Sequence, residues 1–347
     1  MHLKHPVHFV CPDSLLWPEL KGWDGRRLED QVLSDRSGGI LHSWVLRTYY
    51  QLRLAGEAVT LSNRLCAQSI NIVSVRDFGR RQRDLASFLV VPQGDAHTSE
   101  LANFRILQNG LQGEGMDRAV IWHWPQPGIV PRDRGRGTQV AQLCYKGRLL
   151  NLDERFRSEA FIAELKAKNF GFEIDAYSGL RGTHRWNDYS TSDAVLAVRN
   201  LTVYDARKKP ASKLVNAWFA DLPALLGPEP AYREIGTPGR DYIEVQTPRD
   251  VLQALHALRN TPDLFTGIVT AGQQRRSRFS ESALTARWIE TLNGPVAESF
   301  LRWRQTPLWK RALRSAQGMV REPQAKARDK ESIHSGRRLL DHIEDTA

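Results

Sequence analysis

The chain has 347 residues, 41% of them hydrophobic and 25% charged. That is enough for one large domain or two ordinary ones with packed cores, and it excludes a disordered chain. No apolar run reaches the roughly 18–20 residues that span a bilayer, and Met1 to Leu16 lacks the apolar core and small-residue cleavage site of a secretory signal.

Lys and Arg number 49 against 39 Asp and Glu, a net charge of +10. This balance attracts nucleic acid, an anionic membrane or a phosphorylated small molecule without choosing among them. Three scattered cysteines, Cys11, Cys66 and Cys144, form no CxxC pair. They predict neither a zinc site nor a disulfide framework, and they read as core residues in a reducing cytosol.

In chain order, Pro6 to Cys11 predicts a short strand, followed by a loop rich in Trp, Gly and Pro. Ser37-Gly38-Gly39 opens a helix over Ile40 to Ala55, with Leu41, Trp44, Val45, Thr48, Tyr49 and Leu52 at helical spacing. Gly56 closes it. Strands follow at Ala58 to Leu61, Ile70 to Val75, Ala86 to Val91, Phe104 to Leu107 and Ala119 to Trp122. The proline-rich Trp124 to Pro131 and the charged, glycine-rich Arg132 to Gly137 have the composition of a linker.

A second alternating unit begins after it. Strands are predicted at Val140 to Tyr145, Phe170 to Ile174, Ala194 to Val198, Pro223 to Leu226 and Tyr242 to Val245. A turn at Lys146-Gly147-Arg148 follows the first of them. Helices are predicted at Ser158 to Lys168, Ser212 to Ala220, Pro248 to Asn260 and Pro262 to Arg275. This rhythm predicts an α/β protein with two Rossmann-like domains facing across a cleft. The expected boundaries are 1–125 for the first domain, 126–137 for the linker and 138–278 for the second domain, followed by helices at 279–316 and a charged, partly mobile tail at 317–347.

The most informative stretch is Lys208-Lys209-Pro210-Ala211-Ser212-Lys213-Leu214-Val215-Asn216, continuing through Asp221 to Gly227-Pro228-Glu229. It reads as a basic loop, a short helix with Ser212 as N-cap, a tight turn, a buried strand and a second loop. A helix start surrounded by lysines is an anion site. Arg199 ends the preceding strand and is expected to point into the same region.

The pattern K-P-x-x-K-L-x-N-A-x-x-A-x-x-P-x-x-L-G-P-E resembles the donor-sugar segment of bacterial glycosyltransferases with the two-domain GT-B fold, and is similar to the E-K-L segment of bacterial fucosyltransferases. The resemblance is sharp from Asp193 to Glu229 and looser from Ser37 to Arg275. The paired glutamates of retaining families are absent; Lys208 and Asn216 stand where they would fall, and Asp221 replaces the usual glycine at the turn. The resemblance implies that Lys213 and Arg199 neutralise donor phosphates, with Lys209 helping at the loop. It implies that Asn216 and Glu229 bond sugar or ribose, with Tyr232 nearby. Gly147 and Arg148 from the second domain, and Gly38 and Gly39 from the first, are expected to let backbone approach the diphosphate. Each residue also has a plain structural role open to it: the lysines as a solvated loop, Asn216 capping a turn, Glu229 paired with Arg233, and Gly38-Gly39 as a flexible entry to a helix.

No Asp-x-Asp is present, so the expectation is transfer without a metal or other cofactor, the nucleotide sugar being a co-substrate. For an inverting reaction the base would be Asp77, past the end of a buried strand, or Asp95 after the next. Arg76 could instead hold Asp77 in a structural ion pair. His123, His42 and His256 read as structural.

Glu281 to Leu301 predicts a helix, and the GT-B resemblance implies that it crosses from the second, nucleotide-sugar-binding domain back onto the first, acceptor-side domain. Arg302 to Arg314, with Trp303 and Trp309, reads either as docking on that domain or as an amphipathic contact with an anionic membrane. The expected activity is a metal-independent hexosyl- or deoxyhexosyltransferase, cytoplasmic or peripheral to the inner membrane. Its acceptor would be a glycan, a lipid-linked sugar or another hydroxyl, in cell-surface polysaccharide or glycolipid synthesis. The alternatives are an epimerase or non-catalytic protein of the same shape, and a basic nucleic-acid-binding protein. No recognised nucleic-acid-binding motif appears, so nucleic acid is not an expected partner.

Overall fold

The computed structural model describes residues 2–36, 38–76, 85–113, 115–176 and 185–344. Within them, parallel strands form two separate sheets. The first contains β1 (Val7–Val10), β2 (Val59–Ser62), β3 (Ile70–Val73), β4 (Phe88–Pro92), β5 (Phe104–Leu107) and β6 (Arg118–Val120), in the order β2-β1-β3-β4-β5-β6. The second contains β7 (Gln142–Gly147), β8 (Gly171–Ala176), β9 (Ala194–Ala197), β10 (Ala224–Leu226) and β11 (Ile243–Glu244), in the order β11-β10-β9-β7-β8. Parallel strands covered on both faces need continuous apolar runs. The central strands β3, β4 and β9 are accordingly buried at every position, while the edge strand β8 is only half-buried.

The helices of the first unit are α1 (Asp30–Arg36) and α2 (Arg47–Leu54), the latter entered through a π-helical stretch at Leu41–Leu46. The second unit carries α3 (Glu159–Ala167), α4 (Val203–Ala206), α5 (Ser212–Phe219), α6 (Pro230–Ile235), α7 (Pro248–Asn260) and α8 (Pro262–Arg276). Local chemistry sets several starts. Ser158 caps α3 by accepting from the Phe161 amide. Thr247 and Asp250 form a capping box on α7, with Pro248 at its first position.

Then come α9 (Glu281–Thr291), α10 (Ala297–Gln305), α11 (Leu308–Ser335) and α12 (Leu339–Glu344). Leu284, Trp288, Leu292, Val296, Phe300 and Trp303 join the core of the first sheet with Phe9, Ile72, Phe88 and Phe104. The chain therefore returns to its first unit after building the second. The expected single helix from Glu281 to Leu301 is broken at Gly294-Pro295, where Gly294 leaves helical geometry (φ −100°, ψ −109°) and Pro295 has no amide hydrogen to donate.

The charged stretch after Gln317 is helical and packed on both units. It continues α11, whose Glu322 accepts from Ser99 Oγ (3.2 Å) and the Glu100 amide (2.6 Å) and meets His97 Nε2 at 2.8 Å, all on the first unit. Farther on, Asp329 accepts from Tyr204 Oη (2.9 Å) and Lys208 Nζ (2.5 Å) on the second. Leu339 and Leu340 of α12 are buried there. Glu322 and Asp329 are seven apart, two turns of one helix, so a charged sequence with few apolar residues can strap two units together.

The proline-rich stretch also has fixed partners. The Gln126 amide donates to Asn216 Oδ1 (3.0 Å) and the Arg132 amide to the Ala220 carbonyl (2.9 Å). Buried Asp193 accepts from Arg132 Nε (3.0 Å), Arg136 Nε (2.8 Å) and the amides of Ala141 (2.9 Å) and Gln142 (2.8 Å). Cys11 and Cys144 are core residues as expected, but Cys66 is exposed.

Candidate functional site

In an open parallel sheet, ligands bind beyond the carboxyl ends of the strands, where the strand order reverses. In the second sheet that point lies between β7 and β9, because β7 pairs with β8 on one side and β9 on the other. Residues 146–148, 199 and 227–229 follow the ends of β7, β9 and β10. Helix α5 connects β9 to β10, so it starts at this same end.

Lys213 stands in the first turn of α5. Its Nζ donates to the Lys146 carbonyl, and a Cβ built on Gly147 would lie 3.3 Å from that Nζ. Gly147 and Lys213 thus come together as expected. The predicted turn at Lys146-Gly147-Arg148 is in fact the last residues of β7, with Arg148 exposed just beyond it. Burial, and then the Arg199 cation, push the Lys213 ammonium down to about 8. Ala211, not Ser212, occupies the N-cap, and it offers no side-chain cap. The free amides of the first turn then have no internal acceptor competing for them.

Arg199 and Glu229 depart from their expected roles. Arg199 Nε donates to Glu229 Oε1 at 2.8 Å, and its Nη2 to Glu229 Oε2. The pair is buried, at 9% and 1% exposure, and Arg199 also lies 5.6 Å from the centre of the Tyr232 ring. Each side chain is held by the other. The pairing foreseen for Glu229 is also absent: Arg233 instead donates to Glu244, at 2.8 Å through Nε. Beneath the pair, the wholly buried Tyr232 hydroxyl has no hydrogen-bond partner. Asn216, expected on sugar or ribose, is buried and bonds the Gln126 amide.

The first sheet presents its own carboxyl end to this region. Gln108 and Asn109, past β5, donate to the carbonyls of Lys208 (2.5 Å) and Lys209 (2.9 Å). The Gly110 amide donates to Glu234 Oε1 (2.7 Å). Lys209 Nζ reaches Asp95 Oδ2 at 3.1 Å and Asp205 Oδ2 at 3.2 Å, so it bridges the two units and does not lie free over a ligand. Burial opposes the charge on Asp95, but Lys209 and then Arg76, 3.7 Å away, outweigh it and hold the carboxyl down to about 2. A base works best with a pKa near the working pH, so Asp95 is a poor proton acceptor. Its place at the end of β4 suits it to holding the units together. Asp77, the other candidate base, lies outside the described residues. Gly38 and Gly39 are exposed just before the Leu41–Leu46 stretch that enters α2, and Gly39 has the positive φ (75°) that favours glycine. His123 is buried, with Nδ1 2.6 Å from the Trp124 carbonyl oxygen, a structural histidine as read.

Three neighbours were given no ligand role from sequence. Lys146 is buried and donates to the Arg185 carbonyl (3.1 Å). The Trp186 ring centre lies 5.8 Å from Lys213 Nζ. Lys208 is buried against Asp329. The five cations of the segment therefore differ in partner, and the exposed Arg207 donates to the Leu111 carbonyl (2.9 Å). Arg199, Lys208 and Lys209 each face a carboxylate, whereas the hydrogen bond of Lys213 is to a neutral carbonyl. Of the two held by carbonyls, Lys213 is the one in the first turn of a helix and against Gly147.

No protein-family model and no curated protein matches this sequence. Among solved structures, the chain is similar to the sucrose-phosphate synthase of Thermosynechococcus elongatus, with 10% identity over 85% of this chain and 100% of that one and a TM-score of 0.54. It is also similar to AviGT4, a glycosyltransferase involved in avilamycin A biosynthesis, with 14% identity over 85% of this chain and 98% of that one and a TM-score of 0.51. Two parallel sheets, each with its strand order reversing at the carboxyl ends, and terminal helices that return to the first sheet give this chain the GT-B fold.

Proposed function

We propose that the protein is a glycosyltransferase that moves a hexosyl or deoxyhexosyl group from a nucleoside diphosphate sugar to a hydroxyl acceptor on a glycan or lipid-linked sugar. The observation that carries this reading is Lys213. It is a cation on a neutral acceptor, in the first turn of a helix, against a glycine at the switch point of a parallel sheet. Breaking the sugar–diphosphate bond leaves negative charge on the diphosphate. The Lys213 ammonium and the amides at the start of α5 are already oriented to receive that charge. Gly147 lets the backbone approach the phosphates without a side chain in the way.

No divalent ion enters this scheme, since the fixed cation and helix dipole take that role. Release of nucleoside diphosphate from a panel of nucleotide sugars is the assay. Turnover is expected to persist in EDTA. Complete loss of turnover, restored by a divalent ion, contradicts the metal-independent reading.

We further read the acceptor side as working against an anionic membrane. No helix among the described residues is long and apolar enough to cross a membrane. From Ser299 to Arg321 the chain carries Arg302, Arg304, Lys310, Arg311, Arg314 and Arg321 and no acidic residue. Trp309, Leu313 and Val320 are 64%, 52% and 67% exposed and share one face of α11. Cosedimentation with anionic vesicles at low salt is expected for the full chain and lost on Trp309→Ser with Leu313→Ser. Equal binding by the variant contradicts this contact.

A further inference from the structure

At the opposite end of the first sheet from the cleft, a cavity of about 210 Å³ opens between the start of β4 and the corner joining α10 to α11. Its floor is apolar, formed by Leu85, Phe88 and the buried Trp303. Four cations line it: Arg302, Lys310, Arg311 and Arg314. Glu100 is the one carboxylate among its lining residues.

Among the described residues, no carboxylate pairs with two of the guanidinium groups there, which carbonyls hold in place. Arg311 donates to the carbonyls of Thr306 (2.9 Å), Arg304 (2.7 Å) and Leu85 (3.4 Å), and its guanidinium lies 4.0 Å from the centre of the Trp303 ring. Arg314 donates to the Ala102 carbonyl at 2.9 Å. Carbonyl oxygens orient a guanidinium but leave its full charge to be met. A second observation points to a ligand. Ser87 lines the same cavity, is only 4% exposed, and its hydroxyl has no hydrogen-bond partner. A buried hydroxyl is ordinarily bonded, and an orphaned one marks a place where a partner belongs.

We propose that this cavity is a second anion site, separate from the cleft, that binds a phosphate group. The cations supply the charge and Ser87 donates to a phosphate oxygen. The phosphate can arrive on a lipid headgroup or on a small soluble molecule. The proposal is independent of the transferase reading, because none of these residues belongs to the cleft.

The test is titration of the full chain with inorganic phosphate and, separately, with dihexanoyl phosphatidic acid, a soluble lipid phosphate. Saturable binding is expected, weakened ten-fold or more by Arg314→Gln and several-fold by Ser87→Ala, with both variants melting near wild type. Arg314 is exposed, so its substitution leaves the core intact. Tighter binding of the lipid phosphate assigns the site to a headgroup, and equal binding assigns it to a soluble phosphate; both outcomes uphold the site. Absence of saturable binding by either probe overturns it. Binding that survives Arg314→Gln but is lost in Lys213→Met also overturns it, by locating the phosphate in the cleft.

Discussion

Replacing Glu229 with alanine is expected to destabilise the protein by about 3–5 kcal/mol, the usual effect of removing one partner from a buried ion pair. Arg199 would then keep its charge at 9% exposure, with the Pro210 carbonyl (3.3 Å) as its remaining hydrogen-bond acceptor. Arginine cannot escape by losing its proton, so the whole cost falls on the folded state. Glu229→Gln keeps the shape and an acceptor, and is expected to cost less. Denaturant unfolding measures both. A Glu229→Ala variant with wild-type stability and lost nucleotide binding would return Glu229 to the ligand role that the sequence resemblance implied.

Lys213→Met has the largest expected effect on activity. A charge-assisted contact to phosphate contributes roughly 1.5–3 kcal/mol, and each 1.4 kcal/mol or so is a factor of ten in affinity. Diphosphate affinity should therefore fall about ten-fold or more, and turnover further, because the leaving group gains charge in the transition state. The sign of the pH dependence follows from the depressed pKa. Lys213 of the free protein is charged below about 8 and neutral above it. Wild-type affinity should fall as the pH rises past that point, and the variant should be flat there. Between about 8 and the ordinary lysine value the unfolded chain binds more protons than the folded one. This group's contribution to stability therefore rises with pH across that window. Removing the buried ammonium should leave the melting temperature unchanged or raised, which separates a lost ligand contact from a lost fold.

Much of the fold was legible because its strands are buried on both faces. Runs such as Phe104-Arg105-Ile106-Leu107 and Ala194-Val195-Leu196-Ala197 have apolar, β-rich signatures that tertiary context does not override. Asp221 shows a subtler success. It stands where related segments use glycine, and it adopts the left-handed conformation (φ 55°) that the tight turn demands. The break at Gly294-Pro295 was also visible in the residues, but the apolar spacing of Leu284, Trp288, Leu292 and Val296 runs straight across it.

The charge partners were not legible. Lys208 meets Asp329, Lys209 meets Asp95, and Arg199 meets Glu229, across sequence separations of 121, 114 and 30 residues. No local periodicity encodes such pairs, so the sequence offered Lys209 and Arg199 as cations for a ligand and left the lysines open to a solvated loop. The resemblance drew attention to this segment and to its helix start. Only the geometry separates Lys213, bonded to a carbonyl, from Arg199, Lys208 and Lys209, each held by a carboxylate.

The measurement that bears most directly on this account is calorimetric titration of the protein with a series of nucleoside diphosphates and their monophosphates. Saturable diphosphate binding is predicted, preferring one base, at least ten-fold tighter than the monophosphate because the second phosphate meets Lys213, and modest in its salt dependence. Equal affinity for mono- and diphosphates, or binding without base preference that collapses with salt in the manner of a polyanion contact, would contradict it.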